Sequence, residues 1–171
     1  MTDLSKRKKT QCVAAADSES MFQTARAFLA PILEKHALNI DDLLFTFYYC
    51  PRLRRVLEFC VRGVGAKITL AQVASVANLT PSYFSRYFRS RTGWQFSRWI
   101  SALRIGHSVL MLRSEDCGIP VVSRNSGFAS VRSFERHFRR WMGCTAAQYK
   151  AYVIRDRTML LSTSETFVDR W

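Results

Sequence analysis

Along residues 69–91, TLAQVASVANLTPSYFSRYFRSR, apolar positions recur at the helical period in two successive short runs. Leu70, Val73, Ala74 and Ala77 fall at i, i+3, i+4 and i+7, which is one face of a short helix with Thr69 placed to cap it. Asn78 ends that helix, since asparagine tolerates the left-handed backbone of a tight helix-to-helix turn. Thr80 can cap the next helix, and Pro81 suits its first position. This second helix, predicted over 81–91, aligns Phe84, Phe88 and Arg91, with Tyr83 and Tyr87 beside them. Burial of that aromatic face leaves Ser82, Ser85, Arg86 and Arg89 pointing outward.

The same pattern is written again fifty residues later. SYFSRYFRSRTG (82–93) and RSFERHFRRWMG (132–143) share Phe84 with Phe134, Arg86 with Arg136, Phe88 with Phe138, Arg89 with Arg139 and Gly93 with Gly143. In the second copy Pro120 starts a helix through Val122 and Ser123, Gly127 supplies the turn and Ser130 can cap. Phe134, Phe138 and Trp141 then run at i, i+4 and i+7, leaving Arg132, Glu135, Arg136 and Arg139 outside. The first helix of this copy, PVVSRNSG, is richer in serine and asparagine than a good helix former. Between the copies, QFSRWISALRIGHSVLMLR (95–113) places Phe96, Trp99, Ile100 and Leu103 at helical spacing before a broad apolar run. Such a helix spans about 28 Å, close to the ~34 Å between successive major grooves on one side of a duplex. Gly106 within it reads as a close-packing site, and His107 as a partly buried polar residue rather than a ligand.

The ends differ. Residues 20–36 read as an amphipathic helix broken near Pro31. LLFTFYYC (43–50) is an apolar run that suits either a strand or a buried helix, packed on the first unit or serving as a contact for another protein. Residues 151–171 sum to zero charge and receive no functional reading.

Composition narrows the class. A chain of 171 residues with 48% hydrophobic content can bury a core, and no apolar run reaches the 18 or more residues of a membrane span. The N-terminal MTDLSKRKKTQ has no apolar stretch behind it, so a cytoplasmic location is expected. Cys12, Cys50, Cys60, Cys117 and Cys144 form no C-x-x-C pair and are odd in number, which argues for free, mostly buried thiols and against a zinc site. No Gly-rich phosphate loop, H-E-x-x-H or G-x-S-x-G is present, so catalytic residues, cofactors and metals are not expected. Charge sharpens the picture. Of the formal +13, all lies on residues 52–150, which hold 17 Lys or Arg, 15 of them arginine, against 4 Asp or Glu. Arginine's planar fork matches phosphate oxygens and guanine edges, so a nucleic-acid partner outweighs generic solubility. Two short helices with a small, polar, cationic outer face on the second describe a helix-turn-helix whose second helix enters a major groove. Arg86, Arg89, Arg136, Arg139 and Arg140 are the candidate phosphate and base contacts.

These residues carry a resemblance. The stretch from about 52 to 150 resembles the DNA-binding region of the AraC/XylS family of bacterial transcription regulators. The likeness includes the pair Leu103 and Arg104 in the linking helix, Gly127 with Phe128, the spacing to Phe134 and Phe138, and the ending from Gly143 to Tyr149. It implies two helix-turn-helix modules entering adjacent major-groove segments, with Ser82, Ser85 and Arg86 reading bases in the first. Val131, Arg132, Ser133, Glu135 and Arg136 would read them in the second, and RLRRVLEFCVRG (52–63) would be the first helix. Asn78 departs from the glycine usual there.

The expected fold is all-α: a mostly helical N-terminal extension (1–50), a first module (51–94), a linking helix (95–113), a second module (114–150) and a C-terminal extension (151–171). The expected function is an activating, promoter-specific, double-stranded DNA-binding regulator associated with the bacterial nucleoid. RNA polymerase or a regulatory protein is the expected partner of the N-terminal extension, with no membrane. The alternative is a protein-interaction regulator that keeps the fold without promoter binding. Methyl-acceptor repair enzymes with such a module would need a thiolate cluster, which the scattered cysteines do not offer.

Overall fold

A computed structural model describes residues 19–114 and 117–165, the side chains of Ser114 and of 157–165 excepted. MTDLSKRKKTQ and Cys12 lie outside the described residues, as do the last six. The described chain is all-α. Helix α1 runs over 19–33 and passes into a 3-10 turn, Glu34–His36. It is followed by α2 (Ile40–Tyr49), α3 (Pro51–Arg62), α4 (Leu70–Val76), α5 (Pro81–Thr92), α6 (Phe96–Ser114), α7 (Ile119–Asn125), α8 (Val131–Met142) and α9 (Ala146–Glu165).

α1 buries Phe22, Ala25, Leu29, Ile32 and Leu33, an apolar stripe at the helical repeat. It is not broken near Pro31 as its sequence suggests. The helix instead continues for two residues past the proline, which removes one backbone donor close to an end where little of the hydrogen-bond ladder is left to lose. The run 43–50 resolves as a helix, capped by Asn39, whose side chain accepts from the Asp41 and Asp42 amides. Leu43, Leu44 and Phe47 face in, and Phe47 packs against Phe88 and Trp99 with centroids 6.0 and 5.2 Å away. Phe45, Tyr48 and Tyr49 face out, so the run is two-sided rather than wholly buried. An ion pair between Arg26 and Asp41 joins α1 to α2.

α6 is the axle. Consecutive residues from Trp99 to Leu103 are buried, as are Ile105, Ser108, Val109, Met111 and Leu112, which no single helix face could accommodate. The middle of the helix is therefore covered on several sides, by α5, α7, α8 and α9 and by α1. That last contact explains the close packing expected at Gly106: a Cβ there would fall on the Phe28 carbonyl of α1. His107 lies beside the Phe28 ring, centroids 4.9 Å apart, as a half-buried residue. The thiols are less buried than expected. Only Cys60 is fully inside, while Cys50, Cys117 and Cys144 are half-buried and none of the four forms a disulfide.

Because backbone cannot easily retreat from a new methyl group, Gly106→Ala should destabilise the protein by about 1 to 3 kcal/mol despite alanine's better helix propensity. Denaturant titration measures this; a gain in stability would show that α1 does not seat on α6.

Candidate nucleic-acid interface

Two helical pairs are built by closely similar local chemistry. In α4, Thr69 accepts from the Gln72 amide while the Gln72 side chain accepts from the Thr69 amide, a reciprocal cap that satisfies two otherwise orphaned donors. Asn78 adopts φ 54°, and Thr80 and Pro81 start α5. The second pair, α7 and α8, turns at Gly127 with φ 75°, and Ser130 caps α8 by accepting from the Ser133 amide. α7 is seven residues long, like α4, but has no side-chain cap.

The inward residues of the repeat are buried in equivalent ways. Phe84 and Phe88 have their centroids 5.6 Å apart, Phe134 and Phe138 5.5 Å apart, and all four rings are fully enclosed. Each such ring contributes about 1.5 to 3 kcal/mol relative to exposure, which fixes the rotation of α5 and α8 about their own axes. That rotation decides what is left outside. Ser82, Ser85, Arg86 and Arg89 are exposed on α5, and Val131, Arg132, Arg136, Arg139 and Arg140 on α8. Ser133 and Glu135 are half-buried. Glu135 reaches across to the Ala146 amide at 3.4 Å, at the start of α9, so its carboxylate is engaged within the protein. The Ser85 hydroxyl donates to the Pro81 carbonyl, and the Arg86 guanidinium lies 6.0 Å from the Tyr83 ring centre. Tyr83, placed on the buried aromatic face by its spacing, is instead half exposed at 49%. Its ring stacks on Tyr87, centroids 6.4 Å apart and planes at 20°.

The two outer faces meet on one side of the molecule. A hollow beside α5 takes in Ser85, Arg86, Arg89 and Ser97, and a second over α8 takes in Arg132, Ser133, Arg136 and Arg139. Between them lies a cleft of about 470 Å³ to which Ser97 and Ser133 also belong. Thus the start of α6 separates α5 from α8 on a shared arginine-rich face. The spacing is held at both ends. Trp94 stacks on Trp141 with centroids 6.0 Å apart and planes at 17°, and the Arg98 guanidinium lies 5.1 and 5.4 Å from their ring centres. His36 adds a contact from the N-terminal segment to the Trp141 carbonyl at 3.1 Å. At the other end Gly127 packs against the Val64 and Ala66 carbonyls, and Arg104 donates to Ala66 O at 2.8 Å. Sequence reasoning saw Leu103 and Arg104 only through a resemblance; Arg104's job, tying the first unit's loop to the second unit's turn, has no local signature.

Thiol chemistry does not converge here. Burial pushes the Cys60 thiol up to about 12, which keeps it protonated and inert. Burial would also raise Cys50, but the Tyr87 hydroxyl at 2.9 Å and the Leu53 and Arg52 amides outweigh it and bring that thiol below its ordinary value. Among the described residues no group of three His, Cys, Asp or Glu is arranged to hold a metal, and no helix is long and apolar enough to cross a membrane.

Comparison with known proteins matches residues 73–152 to a helix-turn-helix domain family. The RCS-specific HTH-type transcriptional activator RclR of Escherichia coli K12 is 27% identical over 116 residues, covering 68% of this chain and 41% of RclR. The arabinose operon regulatory protein of Salmonella typhimurium LT2 is 32% identical over 145 residues, covering 82% of this chain and 51% of that protein. The chain thus spans about half the length, or less, of these relatives. Among solved structures, the DNA-binding domain of AdpA, a global transcriptional factor crystallised with a target DNA, superimposes with a TM-score of 0.58 at 26% identity. That match covers 60% of this chain and 93% of the domain.

Exchanging asparagine and glycine should be silent at the first turn and costly at the second. Asn78→Gly leaves stability within about 0.5 kcal/mol, because asparagine and glycine both tolerate the left-handed backbone. Gly127→Asn costs at least about 2 kcal/mol, because a Cβ there meets the Val64 and Ala66 carbonyls. Equal effects in urea unfolding would show that conformation alone, not the junction, selects glycine at 127.

Proposed function

We propose, from the premise that residues 73–152 are a helix-turn-helix domain of the AraC type, that this protein is a sequence-specific, double-stranded DNA-binding transcription regulator. The observation that carries this reading is the shared face: two helices with matching buried phenylalanines present their arginines on the same side, with the start of α6 between them. Residues 51–94 and 114–150 serve as the two reading units, joined by 95–113, and α5 and α8 enter adjacent major-groove segments. Arg86 and Arg136 sit two residues, about 200° around the helix, from Phe84 and Phe134 and read base edges. Arg89, Arg139 and Arg140 grip phosphates. Ser82, Ser85, Val131, Arg132 and Ser133 lie where the helices approach the groove. Glu135 contributes less to reading than its position suggests, because it is held by Ala146. Activation is the direction the relative RclR's description supports.

A second role is supported by α2, whose exposed Phe45 and Tyr49 leave 61% and 65% of their surfaces outside the core. This patch is where RNA polymerase or a regulatory protein meets the N-terminal extension. Phe45→Ser with Tyr49→Ser leaves duplex affinity unchanged and lowers transcription from a bound promoter; loss of duplex affinity instead would remove the role.

Log affinity for duplex falls with log salt at a slope of about −0.9 per phosphate contact, so six contacts cost on the order of 10³ between 50 and 200 mM. A flat response rules out the DNA reading.

Arg86→Ala costs about 1 to 3 kcal/mol on a selected site and relaxes preference at one base position, whereas Arg89→Ala weakens selected and scrambled duplexes alike and lowers the salt slope by about one. Arg136→Ala costs less than Arg86→Ala, since α7, which supports α8, begins at Gly118 without the side-chain cap of α4, a difference of roughly a few tenths of a kcal/mol in helix stability. Titrations of the three variants at two salt concentrations check the order. Equal losses on both duplexes for Arg86→Ala would mean that α5 does not read sequence.

A further inference from the structure

We propose that the cleft between the two helical pairs is a phosphate seat that takes a backbone phosphate of the DNA where the duplex passes from α5 to α8. The inference rests on the DNA-binding reading and adds a site whose cations, Lys67, Arg104 and Arg124, lie outside both reading helices.

The lining is the first ground. Lys67, Arg104 and Arg124 bring three cations to the cleft, Ser97 and Ser133 bring hydroxyl groups, and no acidic side chain is among the lining residues. Arg104 is the second. Its guanidinium is half-buried and fixed on two sides, by the hydrogen bond to the Ala66 carbonyl at 2.8 Å and by the Phe128 ring 5.9 Å away. Its Nε is buried and has no hydrogen-bond partner. A cation withdrawn from water and answered by one carbonyl and one ring face is incompletely compensated. A planar guanidinium held rigid with donors to spare suits a tetrahedral oxyanion, which accepts short, charge-assisted bonds.

Location is the third ground, and it selects the source of the phosphate. Ser97 is shared with the hollow beside α5, and Ser133 with the hollow over α8, so the mouth opens between the two outer faces. A duplex lying along both helices must carry its sugar-phosphate strand past that mouth, because successive major grooves are separated by backbone. Lys67 and Arg124 are exposed at the rim, where they can meet the same strand. Arg124 enters from α7 and Lys67 from the segment before α4, so one phosphate would be held jointly by both units.

The test uses the full chain and a duplex of roughly 20 base pairs, about two helical turns, selected by the protein from a random pool. Each phosphate is replaced in turn by an uncharged methylphosphonate. Wild-type protein should lose about tenfold in affinity at one or two linkages midway between the segments read by α5 and α8, the size expected for one charge-assisted contact. Arg124→Gln and Lys67→Gln, both at exposed positions, should each bind the unmodified duplex several-fold more weakly with a salt slope reduced by about one. Neither should lose further affinity on the duplex with the central linkage neutralised, and thermal unfolding should match wild type. Arg104→Lys repeats the loss if it folds, but the rim variants suffice without it. If central linkages can be neutralised without effect while linkages elsewhere matter, the seat is refuted and the DNA reading stands. If no duplex is selected or bound, both fall. If millimolar inorganic phosphate raises the unfolding temperature of wild type but not of Arg124→Gln, and the central linkages are silent, the cleft takes a free anion and the backbone assignment is overturned.

Discussion

Burial of α6 along most of its length is the constraint on which the rest of the molecule depends. A helix with buried residues at five consecutive positions has little freedom to slide or rotate, so each element packed on it inherits a fixed place. α5 packs near its start through Phe88, Phe96 and Trp99, α7 to α9 cover other sides, and α1 lays a backbone carbonyl against Gly106. Trp99 alone touches rings from α2, α5 and its own helix, so the N-terminal segment and the first helical pair share one core. The separation of α5 and α8 is therefore a property of packed side chains rather than of a flexible tether.

Within that frame the two helical pairs differ in their caps, turns and outer faces. The first has a reciprocal cap and a turn open enough for asparagine; the second has an uncapped α7 and a turn pressed against carbonyls of the first. On the outer faces Ser85 occupies the place of Glu135, one hydroxyl bonded back to its own helix and one carboxylate tied to α9. Repetition preserved the buried phenylalanines, which set orientation, while the outward chemistry and the local supports drifted apart. The pairs are equivalent in geometry and unequal in rigidity.

Much of this was legible because it is periodic or capped. Thr69, Asn78, Thr80, Pro81, Ser130 and the phenylalanine spacings carry local signals, and α4, α5, α7 and α8 begin where these signals place them, within a residue. The outer arginines of α5 and α8 followed from the same spacings, by subtraction. What was not legible depends on partners distant in sequence. Pro31 is passed because its helix is already ending, and Tyr83 stays half exposed against Tyr87 while its neighbour Phe84 is enclosed by Phe88 and Phe96, a division that no window contains. The two-sided character of 43–50 was hidden because Phe45, Tyr48 and Tyr49 are as apolar as the residues they flank. Arg104 and Lys67 share a cleft across 37 positions of sequence, a closeness fixed by the hydrogen bond from Arg104 to the Ala66 carbonyl and marked by no local pattern.

The stack of Trp94 on Trp141 has a spectroscopic consequence. Two indoles held 6.0 Å apart and within 17° of parallel couple their electronic transitions, and one ring ends the first helical pair while the other belongs to the second. The far-ultraviolet circular dichroism of the protein, where indole absorbs most strongly, thus carries a contribution that belongs to neither half alone. Its amplitude is an intrinsic, label-free gauge of how closely the halves remain registered, in free solution or on any binding partner.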